Sequence, residues 1–266
     1  VEGRTDVAAH AYYRDDITAL LATKLSVELA IKTGHRLHIL HLTSGIEADY
    51  LADYCTLPSK AEQHPIITTE VLPQHLTFDE TDVDEQGVRL QMNPPIRYAA
   101  DRDILWSRLR DGTIQCIATD HAPHTLEDKA KGFPKAPSGM PGVETSLSVM
   151  LTNVNDGKCS LEDVVRWMST DVADCYQMIG KGKLEVGYDG DIVLVDMAAK
   201  AVVEDKNSWA RVGWNPFRGR ELTGWPVLTV VDGTPVFERS PVTGQKGRLL
   251  VEPGSVGKPI LMNPWN

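Results

Sequence analysis

Short strand-like runs alternate with helix-patterned segments through the first half of this chain, which is the pattern of a parallel sheet with helical crossovers. Residues 15–34 place Ile17, Leu20, Leu21, Leu25 and Leu29 at spacings of three and four, one apolar stripe of a helix. Asp15 or Asp16 suits its start and Gly34 its end. The run 36–42, RLHILHL, predicts a short buried strand, and 65–71 is rich in β-branched residues and predicts a second. Between them a helix runs from a Thr-Ser-Gly turn to about Tyr54. An acidic loop follows at Asp79 to Glu85, then a helix over 99–110 and a third strand over 114–119. Prolines 123, 134, 137 and 141 and glycines 132, 139 and 142 make 120–142 a long loop rather than an element. Loops of that length inside a compact domain are usually functional. Helices resume at 143–155 and 160–178. After Gly180 short β-rich runs separated by Gly, Asp and Pro predict a small β unit, with a boundary near 180 and an extended Pro/Gly-rich tail.

Composition narrows the function classes. With 42% hydrophobic and 24% charged residues, the 266-residue chain has material for a core. A net charge of −10 argues against a general binder of nucleic acid or of anionic membranes. No apolar run approaches the ~18 to 20 residues of a membrane span. Cys55, Cys116, Cys159 and Cys175 are widely spaced with no CxxC, which favours a reducing, cytoplasmic setting.

Histidine is distributed unevenly. All eight residues, His10 to His124, fall in the first half, so chemistry is expected there. His38 and His41 differ by three along a strand, so they point to opposite faces unless the strand ends between them. His41, at the carboxyl end, is the better metal ligand, because active sites of parallel sheets form at that end. The competing reading is a hydrogen-bonded core histidine. The string Thr119-Asp120-His121-Ala122-Pro123-His124 sets one carboxylate and two imidazoles in a stiff turn after an apolar strand. Such donors suit zinc and similar ions, and a carboxylate there can shuttle a proton. The competing reading is a capped turn with surface histidines.

These residues carry a family resemblance. TDHAPHTLEDK with the following GMPGVET resembles dihydroorotases of the cyclic amidohydrolase group. HILHLTSG is similar to the family's strand-end metal histidine, ITTEVLPQHLTF to its next strand, and QMNPPIR to a substrate-contacting Asn segment. Many members carry two adjacent histidines where this chain has Gln74 and His75. GKLEVGYDGDIVLVD is similar to a β-unit signature of the wider superfamily.

The resemblance implies an α/β fold: residues 1–180 as the carboxyl-terminal part of a TIM-type (β/α)8 barrel, and 181–266 as a small β-sandwich-like unit with its tail. It implies a binuclear Zn2+ site in which His41 binds the second metal. Asp120 would bind the first and act as general base, then acid. Asn93 and His124 would hold the ring and its carboxylate, and the backbone at Ser138 and Gly139 would contact the ring. Glu70 would be an auxiliary metal position, and His121 would orient Asp120 or the strand end. The activity implied is reversible hydrolysis of dihydroorotate to N-carbamoyl-aspartate, a step of pyrimidine synthesis. The alternatives are a hydantoinase, dihydropyrimidinase or allantoinase, or a non-catalytic dihydroorotase-like subunit. The partners implied are the small-molecule substrate and either further copies of the chain or an aspartate transcarbamoylase. Family members carry an amino-terminal His-x-His and a bridging acid that this sequence lacks. The chain is therefore expected to be the carboxyl-terminal part of a longer enzyme, poorly soluble and inactive alone.

Overall fold

The computed structural model describes residues 3–4, 6–62, 65–239 and 246–263; His64 lies outside them, as does the end of the tail. Contacts divide the chain into two compact units, Val1–Val143 and Glu144–Asn266. No helix among the described residues is long and apolar enough to cross a membrane.

The first unit contains α1 (Ala9–Tyr13), α2 (Asp16–Thr33), β1 (Leu37–Ile39), α3 (Gly45–Leu51), β2 (Ile67–Val71), α4 (Glu80–Gln86), α5 (Ala99–Asp111), β3 (Cys116–Ile117) and α6 (Leu126–Lys129). The strands form one parallel sheet in the order β1-β2-β3, with Leu37 opposite Ile67 and Glu70 opposite Cys116. All five residues of β2 are buried, as expected of a central parallel strand covered on both faces. The outer strands are shorter than their apolar runs predict. Each chain leaves the sheet as its backbone turns left-handed just beyond, at His41 (φ 36°) and Asp120 (φ 42°).

The helix expected over 15–34 forms as α2, with the Asp15 carboxylate accepting from the Thr18 amide at 2.7 Å. Its orientation reverses the usual rule. Ile17, Leu21, Leu25 and Leu29 are exposed, while Thr23, Val27 and Ala30 are buried. Small side chains let the helix approach its neighbours, and the Thr23 hydroxyl donates to the buried Glu47 carboxylate at 2.7 Å. The acidic stretch expected as a loop is α4. Its capping box joins Asp79 and Asp82, and Asp79 also pairs with Arg102 at 2.6 Å.

In the second unit, α7 (Ser146–Asn155) is followed by α8 (Leu161–Val165), a π-helical stretch (Arg166–Thr170) and α9 (Asp171–Cys175). One helix was expected over the last three. The strands β4 (Ile192–Val202), β5 (Glu221–Val231), β6 (Thr234–Glu238) and β7 (Arg248–Leu249) pair antiparallel in chain order. The described residues thus form a single sheet here. Two of the expected runs merge into β4 across a bulge between Asp196 and Lys200. The Asp196 carboxylate accepts from the Ala198 and Ala199 amides and satisfies that bulge. β5 and β6 join through Asp232-Gly233, both at positive φ, as a two-residue hairpin turn requires. Trp214 and Trp225 are buried in this unit.

Candidate active site

The strand ends are braced one by one. β1 stops between His38 and His41, and the His38 ring and the His41 backbone amide meet the same carboxylate. His38 Nε2 lies 3.2 Å from one Glu70 oxygen and its Nδ1 lies 2.8 Å from the Thr68 hydroxyl. The His41 amide donates to the other Glu70 oxygen at 3.3 Å. Glu70 therefore holds the left-handed turn at His41, a role the sequence reading missed. A non-glycine residue in such a conformation costs ~1–3 kcal/mol and persists where surrounding contacts fix it. His41 Nδ1 is buried and makes no hydrogen bond.

Asp120 is fixed from both sides. Before it, the Thr119 carbonyl accepts from Gln74 Nε2 at 3.0 Å. After it, the Ala122 amide donates to the Met140 carbonyl at 3.2 Å. His121 does not bind Asp120 here. Its Nδ1 accepts from the Gly142 and Val143 amides at 3.1 and 3.3 Å and anchors the far end of the loop. His41 and Asp120 thus sit at the ends of the two outer strands, with Glu70 on the strand between them.

Of the four residues expected to bind substrate, His124, Ser138 and Gly139 are held by hydrogen bonds of the loop. His124 Nε2 donates to the Ser138 carbonyl at 3.1 Å. The Gly139 amide donates to the Gln91 carbonyl at 3.0 Å, two residues before Asn93. The Ser138 carbonyl and the Gly139 amide are thereby engaged within the protein. Asn93 is exposed and hydrogen-bonds His10. Gly139 has φ 133°, and a β-carbon there would overlap the Ala122 carbonyl oxygen. Gly139→Ala should therefore cost about 1–3 kcal/mol, read as a lowered urea midpoint; an unchanged midpoint would refute the tight contact.

Two buried histidines in this region stay neutral. Burial, helped by the Arg14 charge, pushes His10 down to about 4 from the usual 6.5. Burial likewise pushes His75 down to about 3, although its Nε2 donates to the Pro94 carbonyl. Below pH 6.5 the unfolded chain takes up protons that the folded chain refuses, so stability falls as pH drops toward 4. For His10 alone the full effect is about 3 kcal/mol. His10→Phe keeps a ring against Phe133, 5.7 Å away. It should remove roughly half of the stability loss between pH 6.5 and 4, measured by urea titration. An unchanged slope would show that His10 is charged when folded.

The donor types at the strand ends suit a divalent ion, and the orphaned His41 Nδ1 is the kind of atom a ligand would satisfy. Their number does not suffice. Among the described residues no three His, Cys, Asp or Glu side chains gather closely enough to hold a metal. His41 and Asp120, at the ends of separate strands, are not joined by a third such side chain among the described residues.

A parallel sheet with His41 and Asp120 beyond the carboxyl ends of its outer strands is an α/β arrangement, and comparison with known proteins gives the family. The amidohydrolase family model matches residues 9–236, and the chain belongs to that family. The dihydroorotase of Geobacillus kaustophilus is 38% identical over 216 residues, covering 80% of this chain and 48% of the relative. The dihydroorotase of Halobacterium salinarum is 33% identical over 249 residues, 93% of this chain and 56% of the relative. The solved L-hydantoinase (dihydropyrimidinase) from Arthrobacter aurescens aligns with a TM-score of 0.84 at 32% identity, over 94% of this chain and 54% of that one. The resemblance drawn from the motifs is borne out, and the chain spans about half the length of these relatives.

Proposed function

We propose that these residues serve a dihydroorotase, a hydrolase that opens the ring amide of dihydroorotate to N-carbamoyl-aspartate and also runs in reverse. One observation carries the reading. Of four non-glycine residues with positive φ among those described, two are His41 and Asp120, at matching ends of one parallel sheet. Strain of this kind concentrates at functional sites. The three parallel strands read as a sector of a (β/α)8 barrel, whose reactive groups lie at strand carboxyl ends.

In this reading water adds to the ring carbonyl carbon. The Asp120 carboxylate takes the water's proton and delivers it to the ring nitrogen as the C–N bond breaks. Asn93 and His124 hold the ring and its carboxylate. His41 and Asp120 would each give one donor to the zinc pair the resemblance implies. A second reading, a hydantoinase or dihydropyrimidinase, draws on the similarity to the Arthrobacter structure.

The test grafts this chain in place of the matching 216-residue segment of the Geobacillus kaustophilus dihydroorotase. Dihydroorotate, dihydrouracil and hydantoin are then compared as substrates in the presence of zinc. Preference for dihydroorotate of about tenfold or more supports the reading, since one charge-assisted hydrogen bond is worth that much. Preference for the uncharged rings selects the second reading. A folded graft active on none of them would indicate a non-catalytic role.

A further inference from the structure

Lys129 is a lysine with 1% of its surface exposed, at the end of the short helix α6. Fully buried lysines are rare because the ammonium loses its water shell. Here its Nζ donates to two main-chain carbonyls, Gln91 at 2.7 Å and Pro137 at 3.0 Å. These carbonyls lie on two different segments, and both segments carry substrate contacts in the reading above. Gln91 leads to Asn93, and Pro137 precedes Ser138 and Gly139. The Gln91 carbonyl also accepts from the Gly139 amide, and Gln91 Nε2 donates to the Ala136 carbonyl at 2.7 Å. Two bonds besides those of Lys129 itself thus join the same two segments, and His124 adds a third tie within the loop, at Ser138. Burial lowers the lysine to about 8. The group is still mostly protonated near neutrality, and a cation shortens and strengthens bonds to carbonyls.

We propose that Lys129 is a positioning residue: its ammonium ties the Asn93 segment to the Ser138–Gly139 segment and so sets affinity for the ring substrate without touching it. The proposal rests on the dihydroorotase reading for the identity of the substrate, but the tie itself does not. Replacing the ammonium by a methyl-ended chain leaves two buried carbonyls short of a donor. The bonds to Gln91 and His124 then remain to tie the 136–139 segment to residues outside its own turn.

Two measurements test this. Hydrogen exchange at the Gly139 amide is read in the intact chain and needs no turnover. Lys129→Met should speed it about tenfold or more, a loss of one net hydrogen bond, while amides within α5 exchange as in wild type. Kinetics on the graft read the functional half. Lys129→Met should raise KM for dihydroorotate about tenfold with kcat within about threefold, and Lys129→Arg, which keeps the cation, should restore most of the affinity. Unchanged exchange at Gly139 overturns the tie. Faster exchange with an unchanged KM overturns its role in binding. If Lys129→Met does not fold, Lys129→Gln, which keeps one donor and drops the charge, is read by the same two measurements with the same expected signs. A wild-type graft that turns over no dihydroorotate overturns the functional reading, while the exchange result still decides the tie.

Discussion

Replacing Asp120 should lower dihydroorotate turnover by about 10²–10⁴-fold, the usual contribution of a positioned acid–base group. Two variants separate chemistry from folding. Asp120 has φ 42°, a conformation that Asn tolerates better than most residues. Asp120→Asn should therefore keep the strand-end turn and lose the proton acceptor, whereas Asp120→Ala loses both the acceptor and some stability. Both variants are assayed in the graft at saturating dihydroorotate, alongside their urea midpoints. Turnover within tenfold of wild type in Asp120→Asn would sink the assignment. A large loss shared by a stable Asn variant and a weakened Ala variant is the expected pattern.

The second large effect concerns substrate choice. His124→Ala should weaken dihydroorotate against uncharged dihydrouracil by about tenfold or more, since a hydrogen bond to a charged group is worth ~1.5–3 kcal/mol. The ratio matters more than either loss. His124 also donates to the Ser138 carbonyl, so its removal loosens the loop for any ring that binds there. That shared penalty cancels when the two substrates are compared by kcat/KM. Equal losses for both would move the reading toward a hydantoinase.

Much of this was legible in the residues. Asp15 and Gly34 marked the ends of α2, and β-branched runs marked β1 and β2. Strand-end placement alone singles out His41 and Asp120 in the sequence. What escaped depended on contacts distant in sequence. The stripe on α2 gave the helix but not its direction, because spacing cannot say whether the leucines or the small residues pack inward. The bulge in β4 read as a gap between two strands, since Asp196 offered no local sign that its carboxylate would bridge it. Lys129 lies in the stretch read as a long loop, where nothing local marks it for burial; that burial follows from carbonyls 38 and 8 residues away. Glu70 was read as an auxiliary metal position, and its hold on His41 arises from a register that only the sheet defines.

The fastenings of the 120–142 loop also bear on how its descendants can vary. Ala122 is tied to Met140, His124 to Ser138, Lys129 to Pro137 and Gln91 to Gly139. Each tie is a fixed pairing, so an added or lost residue between partners shifts every contact beyond it. Lys131 is exposed, and the backbone hydrogen bonds at Gly132 are local, its carbonyl taking the Lys135 and Ala136 amides. Length changes through evolution should accumulate at that one turn, while the remainder of the loop drifts in side-chain identity at constant length.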